Sequence, residues 1–325
     1  MNGLALYRPG ARVSAYWHAR FALGLARYPH CLAKFNGGAM RVRSCLRESI
    51  SASYLRTPVP VQSTLGFQIR LNPSDFMYVS PSIAALGWWE AGTAELVHSL
   101  SASVRTFVDV GANIGFFSLL AWVCGRPDLQ IFAFEPEPVS FELLKESVLL
   151  NGAACIRLAE LALSNSSGPK VLYISSDGNA GGHSLQSTGG GPRLTVDSMR
   201  FDDFARTHNL HSVDLLKIDV EGGEPECLDG CGEWITTGRV PFAIVEWWPD
   251  RWHQFPELLR KLSTDYLAFP FDPSLPFWSL TQRPLASAAA GCNIFFIHRS
   301  QIGTLGHKLV RRPHFYRESG GNPAE

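Results

Sequence analysis

A chain of 325 residues, 46% of them hydrophobic, can bury a sizeable core in one large or two small domains. Its 29 Lys plus Arg equal its 29 Asp plus Glu, so no overall imbalance argues for nucleic acid. No apolar run reaches the ~18 residues of a spanning helix, and seven scattered cysteines read as reduced thiols rather than a disulfide framework.

The charge is uneven at the start. Between Met1 and Arg47 there is no acidic residue, while Arg8, Arg12, Arg20, Arg27, Lys34, Arg41, Arg43 and Arg47 are basic. Such a segment fits a transit peptide, a membrane-surface helix, or a solvated extension packed on the main domain. His18 and Arg20 interrupt Tyr16–Leu25, which makes it a poor signal peptide. Residues 1–95 therefore read as a basic extension and cap, with Val61–Leu71 as a strand or hairpin. A cytoplasmic location is expected, with organellar targeting or peripheral membrane contact through the basic segment left open, as is the oligomeric state.

From about Val104, β-type runs alternate with helical patterns. The predicted strands are Thr106–Val110, Gln130–Phe134, Ile156–Leu161, Val213–Ile218, Phe242–Glu246, Tyr266–Phe271 and Asn293–Ile297. The predicted helices are Ile114–Cys124, Pro138–Asn151, Glu224–Thr236 and Trp252–Ser263. The strands are almost continuously apolar, as when both faces of a parallel sheet are covered. Over residues 96–300 this predicts an α/β fold, a Rossmann-like doubly wound, seven-stranded, mostly parallel sheet with helices on both faces. Asn151-Gly152 suits a left-handed helix cap, and Pro136 and Pro138 fall where a strand has ended and a helix begins. Cys227 and Cys231, four apart on a predicted helix without a nearby His, indicate packing and not a metal site. Lys170–Ile174 reads as an additional strand, followed by a glycine-rich loop, Asp177–Pro192, that is either a disordered insert or a lid. Residues 301–325 read as a basic tail.

Three motifs carry chemistry. Phe107–Val110 runs into Gly111-Ala-Asn113-Ile-Gly115, a turn whose glycines permit positive φ and close approach of a ligand. A dinucleotide fingerprint needs Gly-x-Gly-x-x-Gly, and here Asn113 and Phe116 occupy its second and third glycine positions. Asp109 at the strand end would repel a pyrophosphate and welcome an ammonium group, which suits S-adenosylmethionine better than a dinucleotide. Glu135 ends the second strand, where a carboxylate can accept both hydrogen bonds of a ribose diol. Leu216-Lys217-Ile-Asp219-Val-Glu221-Gly222 ends the fourth. Alternation places Lys217, Asp219 and Glu221 on a common side if the extended geometry persists, where they can hold a hydroxyl and take its proton. The bland alternative is a salt-bridge cluster at a helix start. His183, in the glycine-rich loop, is either solvated or a proton carrier. No metal ligands are assigned, although Asp219, Glu221 and Glu246 could hold a hard cation if they converge.

With these motifs the chain resembles the FkbM-type methyltransferases, a branch of the class I S-adenosylmethionine-dependent enzymes. The matching stretches are Val108–Gly115, Phe134–Pro136, Leu161–Ser164, Gly182–Leu185, Leu216–Gly222, Val245-Glu246 and Asn293 within Cys292–His298. The resemblance covers roughly residues 88–299 and leaves the basic extension outside. It implies S-adenosyl-L-methionine as cofactor and methyl transfer to a hydroxyl of a sugar, glycan or polyketide-like small molecule; the charge balance already sets the expectation of no nucleic-acid partner. It also implies that Asp109, Gly111, Asn113 and Gly115 line the methionine part, that Glu135 holds the ribose, and that Ser164 lies near the adenine. Glu90, in Trp89-Glu90, is placed where it can reach cofactor or substrate. Asp219, with Glu221 or His183, is the expected base. The rival readings are an N-methyltransferase, a cofactor-binding interaction module without catalysis, and an NAD-dependent oxidoreductase. The first usually carries Asn/Asp-Pro-Pro-aromatic where this chain has Asp-Val-Glu-Gly, and the last wants the missing central glycine.

Overall fold

The computed structural model describes residues 60–301 apart from 76, 177, 187–190 and 275–280. The basic extension before residue 60, the tail after 301 and part of the glycine-rich loop thus lie outside the described residues.

The described chain opens with a hairpin, β1 (Val61–Gln62) against β2 (Gln68–Ile69), within the stretch predicted as a strand or hairpin. Two helices follow, α1 (Val79–Leu86) and α2 (Ala91–Ser101), which the weak periodicity before residue 100 did not reveal. The main sheet contains β3 (Thr106–Val110), β4 (Gln130–Phe134), β5 (Ile156–Ala159), β9 (Leu215–Ile218), β10 (Phe242–Trp247), β11 (Tyr266–Phe271) and β12 (Cys292–His298). Its order is β11-β12-β10-β9-β3-β4-β5, and β12 alone runs against its neighbours. All seven predicted strands are present in this one mostly parallel sheet.

Between β3 and β4 lies α3 (Phe116–Cys124), and between β4 and β5 lies α4 (Pro138–Asn151). The Glu137 carboxylate accepts from the backbone of Val139 and Ser140 at the start of α4, and Gly152 closes it in the left-handed region, as the Asn-Gly pair predicts. A separate three-stranded sheet joins β6 (Ala162–Leu163), β8 (Arg193–Met199) and β7 (Gly168–Tyr173), of which the sequence reading found only β7. Helix α5 (Phe201–Thr207) was also missed. The predicted helix Glu224–Thr236 is two, α6 (Glu224–Gly230) and α7 (Glu233–Thr236), because Gly232 at φ +55° breaks the α-helical path. Likewise α8 (Pro249–Trp252) and α9 (Pro256–Asp265) replace Trp252–Ser263, since Pro256 has no N–H to continue a helix and instead starts one.

Strand alternation divides the interior into two apolar clusters. Phe107, Ile131, Leu215 and Ile244 face α2, α3 and α4, while Val108, Phe132, Leu216 and Ala243 face α5, α6 and α9. Phe67, Ile69 and Ile83 belong to the first cluster, so the described part of the segment before residue 96 packs into the same core as β3. The same alternation sets a polar line across that face. Asp109 pairs in register with Lys217, and Glu246 with Asn293. These four residues lie in register with the apolar residues facing the first cluster, at the carboxyl ends of the parallel strands, where ligands of such sheets bind. Cys227 and Cys231 are free and fully buried, in packing roles.

Candidate functional site

The cavity at this edge has a volume of about 370 Å³, within the range of small-molecule sites. Of the residues singled out from sequence, Glu90, Gly111, Asn113, Glu135, Ser164, His183, Asp219 and Glu221 line it. Asp109, Gly115 and Lys217 do not; they act from behind its wall.

The glycine turn is built around Phe134, whose carbonyl accepts from the N–H groups of both Gly111 and Ala112. Gly111 has φ +73°, and a Cβ there would lie 1.8 Å from the carbonyl oxygen of Asp219. Its missing side chain therefore admits the neighbouring loop that carries Asp219, while its backbone remains in the cavity wall. Gly115, at φ +93°, is placed against Leu144 of α4, 2.5 Å from an added Cβ, and so serves helix packing instead of the expected methionine contact. Asn113 also has positive φ, +51°, and its N–H donates to Glu135 Oε2 at 2.8 Å. Glu135 Oε1 accepts from Glu137 N–H at 2.9 Å. Each carboxylate oxygen thus keeps a lone pair for a diol. Burial pushes the Glu135 carboxyl up to about 7, against the pull of these backbone donors.

Asp109 does not wait for an ammonium group from a ligand; the protein supplies one. Lys217 Nζ stands 3.7 Å from Asp109 and 3.2 Å from Asp219 Oδ2, and the Asp109 carboxylate also accepts from Ser118 Oγ at 2.7 Å. The ammonium also lies 4.9 Å over the Phe117 ring. Burial alone would lower the Lys217 pKa, yet Asp219, Asp109 and Glu90 around it raise it above the ordinary value, so it stays charged. Lys217 is consequently a support for Asp219 and not a group facing the cavity.

Beyond Ile218 the extended geometry ends, so alternation does not bring Glu221 to the others. Glu221 sits at φ +57° in a turn, and that turn returns its carboxylate to the cluster. Ligand oxygens of Asp219, Glu221 and Glu246 lie within 4.8 Å of one another, a donor set that could hold a hard cation. Burial first, then Asp219, Glu221 and Glu224, push Glu246 up to about 11. Glu90, at φ +40° before α2, accepts from Asn293 Nδ2 at 3.4 Å, and burial followed by Asp219 pushes it up to about 7.

His183 is oriented against a base role. Its Nδ1 accepts from Ser175 N–H at 3.0 Å, so the neutral ring carries its proton on Nε2 and presents a donor. The surrounding loop is held by Ser184, which pairs with Tyr173, and by Gln186, whose amide donates to Glu226 at 3.0 Å. Sequence reasoning missed Asn179, Glu226 and Trp248 in the lining. Trp248 directly follows Glu246-Trp247 at the end of β10, and position at a parallel strand's carboxyl end was the signal available for it.

Among the described residues the lining includes six acidic side chains, Glu90, Glu135, Asp219, Glu221, Glu226 and Glu246, and no Lys or Arg. Such a cavity suits a ligand with cationic groups and disfavours a pyrophosphate. A sulfonium with an amino-acid ammonium and a ribose diol fits this set of acceptors.

Comparison with known proteins gives the same picture. Residues 109–268 match the family model described as the methyltransferase FkbM domain. The chain is 32% identical to "Methyltransferase sdnD" of Sordaria araneosa, over 43% of this chain and 65% of that protein. It is 27% identical to "2-O-methyltransferase NoeI" of Sinorhizobium fredii, over 46% of this chain and 66% of that protein. It is 32% identical to "Hexuronic acid methyltransferase AglP" of Haloferax volcanii, over 42% of this chain and 54% of that protein. The chain thus spans less than two thirds of the length of these relatives.

Proposed function

We propose, from the FkbM methyltransferase domain that residues 109–268 of this chain form, that the protein is an S-adenosylmethionine-dependent O-methyltransferase acting on a hydroxyl of a sugar, glycan or polyketide-like small molecule. The observation that carries the reading is Asp219. It lines the cavity beside the glycine turn while Lys217 holds one of its oxygens from behind at 3.2 Å. When bound, S-adenosylmethionine supplies a methyl group already activated by the sulfonium. Glu135 would hold its ribose, with Asn113 and the Gly111 backbone along the methionine part and Ser164 near the adenine.

Asp219 orients the acceptor hydroxyl and takes its proton as the new C–O bond forms and the C–S bond breaks. His183, through Nε2–H, and Glu221 line the same cavity and orient the acceptor. The relatives' names support oxygen as the atom methylated, since one is a 2-O-methyltransferase and another acts on a hexuronic acid.

The test is calorimetric titration with S-adenosylmethionine, followed by incubation with hydroxylated sugars and macrolides and mass spectrometry. Cofactor binding plus a product heavier by one CH₂ is expected. Binding with methylation of amines but of no hydroxyl would overturn the assignment to oxygen.

A further inference from the structure

The turn that carries Asp219 and Glu221 is held by one backbone bond and by the side chains of Ser184, Glu224 and Arg251. Glu221 is not a glycine, yet its φ is +57°, and Gly222 follows at φ +97°. A left-handed residue of this kind persists where its surroundings over-determine it. Five hydrogen bonds do so here. Asp219 N–H donates to the Val110 carbonyl at 3.1 Å. The Glu221 carbonyl accepts from Ser184 Oγ at 2.7 Å, and the Gly222 carbonyl from Arg251 Nε at 3.0 Å. The N–H groups of Val220 and Gly222 both donate to one oxygen of Glu224, Oε1, at 3.1 and 3.0 Å.

Glu224 is fully buried, and a carboxylate in that position invites a plain explanation as an acidic residue at the start of α6. Its hydrogen bonds argue otherwise. Val220 and Gly222 lie before α6, so these two bonds serve the turn and not the helix; they tie the 219–220 and 221–222 peptide units to one carboxylate oxygen. Its second oxygen, Oε2, is buried without a hydrogen-bond partner, a cost retained for the two bonds that Oε1 makes.

We propose that Glu224 is a positioning residue for methyl transfer, clamping the backbone of residues 219–222 so that the Asp219 and Glu221 carboxylates meet Glu246 at the acceptor end of the cavity. It touches neither cofactor nor acceptor and acts through the main chain. Ser184 is its counterpart, fixing the same turn from the glycine-rich loop. The inference rests on the methyl-transfer reading above for its kinetic consequence, but the clamp itself is a structural statement.

The experiment compares wild type with Glu224→Ala, Glu224→Gln and Ser184→Ala in two measurements. The first is hydrogen exchange of the segment 219–223 against the rest of the chain. The second is kcat alongside the dissociation constant for S-adenosylmethionine. Misplacing a reacting group by about 1 Å can cost ~10²-fold, so Glu224→Ala should lose kcat by about that factor with cofactor affinity nearly unchanged. Its exchange protection should be lost locally at 219–223. Glu224→Gln, whose amide oxygen can still accept both N–H groups, should recover most of kcat and of the protection. Ser184→Ala should give a smaller loss with the same localisation, and it carries the test if Glu224→Ala does not fold.

Unchanged exchange at 219–223 in foldable variants overturns the clamp whatever the activity. So does a parallel fall of kcat and cofactor affinity with global loss of protection, which would be a stability role only. A wild type that binds cofactor but methylates nothing would remove the methyl-transfer reading, while the exchange data would still decide the clamp.

Discussion

Lys217 shows how one residue can be placed correctly by sequence and given the wrong task. It is buried to 1% exposure between Asp109 and Asp219, so each carboxylate depends on it for neutralisation. Removing one partner of a buried ion pair leaves uncompensated charge, which typically costs about 3–5 kcal/mol. Lys217→Met should therefore lower unfolding stability by that order in denaturant titration; a loss under ~1 kcal/mol would mean that the pair is not an essential part of the core. Asp219 is the complementary case, since it lines the cavity. Asp219→Asn keeps the shape and can still accept from Lys217, but cannot take a proton. Turnover should fall about 10²-fold or more with cofactor binding nearly intact, the usual worth of a general base. Unchanged kcat would pass the role to another group.

At the scale of elements, the glycine turn and the 219–222 turn are one construction. Gly111 has φ +73°, where a side chain costs about 1–3 kcal/mol, and its Cβ would meet backbone, the Asp219 carbonyl, which cannot swing aside. Gly111→Ala should lower the melting temperature by several degrees and weaken cofactor binding together, because both turns must shift. Retained melting temperature and affinity would show that the turns are independent. What was legible follows from the same geometry. The apolar runs of β3, β4, β9 and β10 and the acidic ends at Glu135 and Asp219 were readable because parallel strands are buried on both faces and end at ligand sites. The Asp109–Lys217 pair was not, because two segments far apart in sequence become neighbours only through strand order. Nor was the return of Glu221, since alternation says nothing once a strand ends in a left-handed turn. Strand β6 has only two residues, and β8, though seven long, is mostly polar and follows glycine-rich chain, so neither gave an apolar run to read.

For the molecule as a whole, the buried acids act in one direction on stability. The Glu135 carboxyl is raised from 4.5 to about 7 by burial, and Glu90 likewise to about 7 by burial and the Asp219 charge. Between the unfolded and folded values the native protein keeps a proton that the unfolded chain has released. The stability these groups contribute is thus fully present below about 4.5 and lost as pH rises through about 7. The pairs nearer the surface work in a different window. Asp128 and Asp202 are lowered by hydrogen bonds from Arg126 and Arg200, so their contribution is lost only on acidification below the usual carboxylate range. The cofactor-free protein should accordingly melt at lower temperature as pH is raised from about 5 to about 8. Glu135→Gln removes one titrating group while leaving an amide oxygen for the Asn113 or Glu137 N–H. Its melting curve should show a shallower decline over the same range, and an unaltered slope would mean that Glu135 is already ionised in the folded protein at low pH.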